Sequence, residues 1–231
     1  MSIAENIAQV RTNIAQACAQ AGRSPEEITL VGASKMNDAA ACREAIAAGI
    51  DALGENRGQE MTAKLADNAY DGAPLHFIGH LQRNKVKQVV GKVALIQSVG
   101  SMELLEEIEK VAAREQLVQD ILLEVNIGRE EAKSGFDPDA VTAAAEAALS
   151  LPHVRVRGLM TSPPADADRD ANMRYFQEVQ ALYVDINTKL FHNELKCLSM
   201  GMSGDYMDAI RCGATMVRVG TAIFGARNYN I

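Results

Sequence analysis

Lys35 closes the run Ile28-Thr-Leu-Val-Gly-Ala-Ser-Lys35, in which apolar and β-branched residues lead into small Gly32, Ala33 and Ser34. A helix-like stretch follows from Asp38 to Ala48, so the lysine falls where a strand gives way to a loop. Small neighbours give a ligand close access and apolar ones exclude water, a setting that lowers an amine's pKa and leaves it nucleophilic. Such an amine forms a Schiff base with an aldehyde. The plainer alternative is a lysine that solvates a strand end.

A second group of residues could hold an anion. In Ser199-Met-Gly-Met-Ser-Gly-Asp205, Gly201 and Gly204 let backbone approach a ligand, and Ser203 could both cap the next helix and donate its hydroxyl. Arg218-Val-Gly-Thr221 would add free backbone N–H groups beside another hydroxyl. Together the two loops read as a phosphate cup opposite Lys35; taken singly, each is equally a tight turn with ordinary caps. A phosphate site with a Schiff-base lysine points to pyridoxal phosphate or to a sugar-phosphate aldolase. Arg218, two residues before Gly220, can point inward toward a pyridine nitrogen. An arginine only donates, so that nitrogen would stay unprotonated and the ring a weak electron sink.

Eight strands must position these groups. The pattern predicts an amphipathic helix from Met1 to Ala21, and a short helical turn at Ser24 and Pro25. Strands follow at 28–35, 51–56, 75–80, 94–99, 120–126, 154–160, 195–200 and 215–220. Between them lie helices at 38–48, 57–68, 84–90, 102–115, 138–149, 171–191 and 205–212. This alternation is that of a parallel sheet, and the count suits closure into a single (β/α)8 TIM barrel spanning 1–231 with an extra N-terminal helix. The competing open doubly wound sheet would want a glycine fingerprint where Ala33-Ser-Lys35 stands. In a barrel the site lies at the C-terminal strand ends. There stand Lys35, Asn56, His80, Ser98, Asn126, Met160 with Thr161, Ser199 to Ser203, and Arg218 to Thr221.

The totals restrict the function classes. At 231 residues the length suits one such barrel, which typically needs about 250. A net charge of −7 argues against a broad nucleic-acid surface but leaves room for one phosphate pocket. Cys18, Cys42, Cys197 and Cys212 are widely spaced and read as reduced thiols of a cytoplasmic protein. Glu5 and Arg11 mark the first helix as no signal peptide, and no apolar run approaches the roughly 18 residues of a membrane span. The cluster from Asp166 to Asp170 suits a solvated helix start.

Several stretches resemble the pyridoxal phosphate homeostasis proteins: Val31-Gly-Ala-Ser-Lys35, Gly54-Glu-Asn56, His76-Phe-Ile-Gly-His-Leu-Gln-Arg-Asn-Lys85, Glu124-Val-Asn-Ile-Gly128 with Lys133-Ser-Gly-Phe136, Gly158-Leu-Met160, Leu198-Ser-Met-Gly-Met-Ser203, and the segment from Val217 to Arg227. The resemblance spans nearly the whole chain. It implies a barrel like the N-terminal domain of alanine racemase and a small, usually monomeric carrier that hands pyridoxal phosphate to apo-enzymes. It also implies that Lys35 bears the cofactor, that Ser203, Gly220 and Thr221 hold its phosphate, and that Arg218 faces the ring nitrogen. Asn56, His80, Ser199 and Met202 complete the expected cofactor-binding set. No metal, nucleic acid or membrane is expected as a partner. Two departures bear on how the ring is covered: Ser34-Lys-Met-Asn-Asp38 replaces the common Ser-Lys-Thr-Lys-Pro, and Arg57 replaces an aromatic residue.

The alternative is a weak amino-acid racemase, which needs a second acid/base group opposite the lysine. In alanine racemase a tyrosine from a further domain of the partner subunit supplies it, whereas here Tyr229 stands in a short tail, so little catalysis is expected. Lys133, in the loop after the fifth strand, is a second amine that could assist transfer or simply be solvated before a helix cap at Asp137. His76 and His80 would lie roughly 13 Å apart on a strand, too far to share a metal. Met200, Met202, Met207 and Met216 read as core filler, and Arg83, Lys85 and Lys87 as a basic helix start.

Overall fold

A computed structural model describes residues 1–225. Tyr229 and Arg227 lie outside the described residues. Helix α1 (Ile3–Ala21) begins with a capping box, in which Ser2 accepts from the Glu5 amide and the Glu5 carboxylate from the Ser2 amide. The turn at Pro25–Glu27 repeats the device with Ser24 and Glu27. Strands β1 (Thr29–Ala33), β2 (Ala52–Glu55), β3 (Leu75–Phe77) and β4 (Leu95–Val99) then alternate with α2 (Ala39–Ala47), α3 (Gly58–Ala66) and a 3-10 segment, Arg83–Gln88. Next come α4 (Met102–Arg114), β5 (Gln119–Val125), α5 (Val141–Ala148), β6 (Val154–Thr161) and α6 (Arg169–Leu190). The described chain ends with β7 (Cys197–Ser199), α7 (Tyr206–Arg211), β8 (Met216–Val219) and α8 (Thr221–Phe224).

All neighbouring strands pair in parallel, and β1 also pairs with β8, Val31 opposite Arg218 and Gly32 opposite Val219. The expected (β/α)8 barrel with an added first helix is the fold observed. Apolar residues fill two layers. Val31, Ala52, Leu95, Leu122, Met160 and Met216 pack inside the barrel, and a larger shell lies between strands and helices. The extra helix packs Ile7, Val10, Ile14 and Cys18 inward, and its Asn6 and Asn13 reach the Ile223 carbonyl and the Tyr206 hydroxyl.

Four expectations are corrected. β3 stops at Phe77 rather than His80, because the chain at Gly79 runs against Asn56, where an added Cβ would lie 2.3 Å from the Asn56 carbonyl oxygen. The spacing along a strand expected for His76 and His80 therefore does not apply: His76 is buried and His80 exposed. The basic segment 83–88 is 3-10 rather than α-helical, with no side-chain cap and only Val86 buried to hold it. Finally α5 starts at Val141, since Asp137 accepts from the Asp139 amide and spends its cap on a turn around Pro138. Asp168 does cap α6, accepting from the Ala171 amide.

Candidate functional site

The backbone on both sides of Lys35 is clamped. Ser34 is fully buried, donating its amide to the Gly54 carbonyl (3.0 Å) and its hydroxyl to Glu55 Oε1 (2.6 Å). Met36 holds a left-handed φ of 62° and donates its amide to Glu60 Oε1. Lys64, reaching in from α3, ties the two together by donating to the Ser34 carbonyl oxygen (2.9 Å), Glu55 Oε1 (2.7 Å) and Glu60 Oε1 (2.8 Å). Burial works against its charge, but Glu55 and Glu60 outweigh it and hold the ammonium pKa above the ordinary lysine range. Tyr70 also donates to Glu55 Oε1, at 3.0 Å.

Alternation along β1 puts Val31 in the barrel interior, and Gly32 outward against Ile50 and Leu53. Lys35 lines a cavity of about 610 Å³ together with Ala33, Gly220, Thr221 and Phe224. Lys35 and the loop after β8 are thus brought together, just beyond adjacent strands β1 and β8 rather than across the mouth, while Ser203 and Gly204 of the other loop line a separate cavity with Asn13 and Arg169. Closure of the sheet makes first and last strands neighbours.

The anion loops are built differently from expectation. The helix after strand seven has Asp205 at its N-cap, and Asp205 Oδ1 accepts from the Met202 amide at 2.6 Å. Ser203 does not cap that helix. Its hydroxyl accepts from the amides of Gly220 (3.1 Å) and Ala222 (3.3 Å), so the Gly220 N–H expected to be free carries a hydroxyl. Glycine is required at position 201, where φ is 92° and an added Cβ would lie 2.6 Å from that of Ala209.

Arg218, two residues after the interior-facing Met216, points into the barrel. Only 5% exposed, it donates from Nη1 to Ser199 Oγ (2.7 Å) and from Nη2 to the Thr161 carbonyl (2.8 Å) and Ser162 Oγ (2.9 Å). Burial pushes its pKa down to about 10, with Glu124 and Asp205 opposing, so it stays charged at neutral pH. Glu124 takes a hydrogen bond from Ser134 at 3.1 Å, and burial raises its pKa.

The remaining expected residues are spread around this centre. Asn56 and His80 line a neighbouring cavity of about 510 Å³ with Arg57 and Lys85. Asn56 Oδ1 is buried there with no hydrogen-bond partner. Met202 is 42% exposed, so it is not the core filler its neighbours Met200 and Met216 are. Ser98 and Asn126 order backbone: Ser98 donates to the Gly79 carbonyl, and Asn126 bonds both amide and carbonyl of Glu130. Lys133 pairs with Glu130 at 2.6 Å and lines a further cavity with His80. Among the described residues no group of three or more His, Cys, Asp or Glu could hold a metal. Sequence reasoning missed Glu55, Lys64 and Glu124 around the site. Two of them stand in the quoted motifs, but their partners come from other elements.

A protein of Aquifex aeolicus named pyridoxal phosphate homeostasis protein is 41% identical over 99% of this chain and 100% of its own length. The chain belongs to the pyridoxal phosphate homeostasis protein family. Another member, from Pseudomonas aeruginosa, is 40% identical over 99% of this chain and 97% of its own. The profile of the alanine racemase N-terminal domain matches residues 6–228. Among solved structures, PipY of Synechococcus elongatus, with pyridoxal phosphate bound, superposes at a TM-score of 0.84 with 32% identity, over 97% of this chain and all of that one. An alanine racemase of Clostridium difficile 630, 17% identical with a TM-score of 0.73, covers 95% of this chain with 56% of its own and shares the fold.

Proposed function

We propose that this chain is a cytoplasmic, monomeric pyridoxal phosphate carrier, holding the cofactor as a Schiff base on Lys35 and releasing it to apo-enzymes. The observation that carries the reading is the shared cavity: Lys35 lines one space of about 610 Å³ with Gly220 and Thr221. The residues fit the group. Lys35 would hold the aldehyde carbon, Gly220 and Thr221 with Ser203 the phosphate, and Arg218 the pyridine nitrogen. The unpartnered Asn56 Oδ1 offers one more polar contact in the neighbouring cavity.

When bound, the cofactor supplies an electrophilic aldehyde conjugated to a ring that can draw electrons. At the ring nitrogen Arg218 would limit that draw, because it offers only hydrogens and would leave the nitrogen without a proton. Ser34, Met36 and Lys64 hold the backbone beside the anchor lysine in place. These features support carriage over turnover. The bound relative from Synechococcus elongatus and the names of the homologues support the same choice of ligand.

The test is to incubate the protein with pyridoxal phosphate, reduce with borohydride, and map the adduct by peptide mass. A yellow protein with one reduced adduct on Lys35, lost in Lys35→Ala, is the expected result. A colourless native protein, or an adduct that persists in Lys35→Ala, overturns the reading.

A further inference from the structure

A string of hydrogen bonds crosses the barrel interior from β3 to β8, and its direction follows from one end. Arg218 can only donate, so its Nη1 hydrogen goes to Ser199 Oγ at 2.7 Å. The Ser199 hydroxyl must then spend its own proton on Gln97 Oε1, also 2.7 Å away. That turns the Gln97 amide nitrogen toward His76 Nδ1 at 3.0 Å and Met216 Sδ at 3.1 Å. His76 Nδ1 has to accept, and the imidazole carries its one proton on Nε2. All four side chains are buried. On its other side Arg218 gives two hydrogens to Thr161 and Ser162. Two of its five hydrogens, one on Nη1 and one on Nε, are left outside these three bonds.

We infer that His76 and Gln97 are positioning residues: Gln97, held by His76, accepts the Ser199 proton, which keeps Ser199 Oγ an acceptor for Arg218 and thereby aims the hydrogens Arg218 keeps for a ligand. The inference rests on the proposed cofactor site. A neutral imidazole is what burial favours here, since desolvation alone moves the His76 pKa down to about 4. Neither residue lines the cavity that holds Lys35. His76 instead borders a small cavity at the opposite end of the barrel, beside Asp51, Asp120 and Arg157. Mere filling of the barrel would be met by any apolar side chain of the same size. A string with a fixed sense would not: Ser199 needs an acceptor at position 97, and Gln97 needs one at position 76.

The test uses the full chain. In the cofactor-free native protein, long-range nitrogen–proton NMR of the imidazoles at neutral pH is expected to show His76 protonated on Nε2. In Gln97→Glu the carboxylate demands a donor and the tautomer moves to Nδ1–H. After loading with pyridoxal phosphate, His76→Leu and Gln97→Leu are expected to shift the absorption maximum and weaken binding roughly tenfold, the effect of one lost hydrogen bond. His76→Gln, whose side-chain oxygen still accepts, stays within about threefold of native. An Nδ1–H tautomer in the native protein, or leucine variants with native spectrum and affinity, overturns the inference. If a leucine variant does not fold, the native tautomer and the two conservative variants decide it. A native protein that never colours overturns the cofactor reading instead, and the tautomer results still separate a directed string from plain packing.

Discussion

The Lys64 ammonium lies 2.7 Å from Glu55 Oε1, and its side chain is 8% exposed where that of Glu55 is fully buried. Around this pair the Ser34 carbonyl, the Ser34 hydroxyl, Tyr70 and Glu60 complete a polar knot in the wall behind Lys35. A charge pair this deep gains little over an apolar pair of equal volume, but losing one partner strands the other. Its effect is to hold the residues on either side of Lys35 in one geometry, including the left-handed Met36.

Lys64→Met leaves Glu55 buried without its cation and is expected to cost about 3 to 5 kcal/mol. Urea denaturation would measure it. In the double variant with Glu55→Gln the loss should shrink by more than half, because no buried charge is left alone. A loss below about 1 kcal/mol in the single variant would show that solvent reaches the pair.

The stability of the fold should fall in acid through His76. Burial lowers its pKa from 6.5 to about 4, so between those values the unfolded chain binds a proton that the folded chain does not. The contribution is fully present above pH 6.5 and is lost as pH falls toward 4. Between pH 7 and pH 4.5 it amounts to roughly 2 to 3 kcal/mol. Unfolding free energies of native protein and His76→Gln, measured across that range, should diverge by this amount. Parallel curves would contradict it.

Ser203→Ala removes the hydroxyl that bridges the Gly220 and Ala222 amides. Affinity for pyridoxal phosphate is expected to drop roughly tenfold, while affinity for pyridoxal, which has no phosphate, changes little. Absorbance titrations with the two compounds would separate the effects. An equal loss for both would move Ser203 away from the phosphate.

Gly158→Ala should prevent normal pairing of β6 with β7. The new Cβ would lie 1.7 Å from the Cys197 carbonyl oxygen and 2.6 Å from its carbon, and both are backbone. A loss above about 4 kcal/mol, or failure to accumulate soluble protein, is expected. The contrast is Gly22→Ala, where φ is 67° but no atom lies within 4 Å of the new Cβ. There the cost is the backbone term alone, about 1 to 2 kcal/mol. Thermal unfolding of the two variants gives the comparison.

Local pattern by itself determined the alternation of strands and helices, the strand end that carries Lys35, the two glycine-bearing loops near residues 201 and 220, and the inward side of Arg218. Each depends on neighbours within a few residues, through side-chain period, turn chemistry or capping. The errors were local too: α5 began late because Asp137 turned back on Asp139, and segment 83–88 lacked the buried contacts that an α-helix needs. Only the closed barrel decided which distant residues meet. It put Lys35 beside Gly220 just beyond adjacent strands, gave Ser203 to the amides of another loop, and joined His76, Gln97, Ser199 and Arg218 from four strands. It also drew Lys64 across to Glu55. Those partners differ in sequence separation from bond to bond, so no period or spacing announces them; they follow from which side chains share a low-dielectric interior and must satisfy one another there.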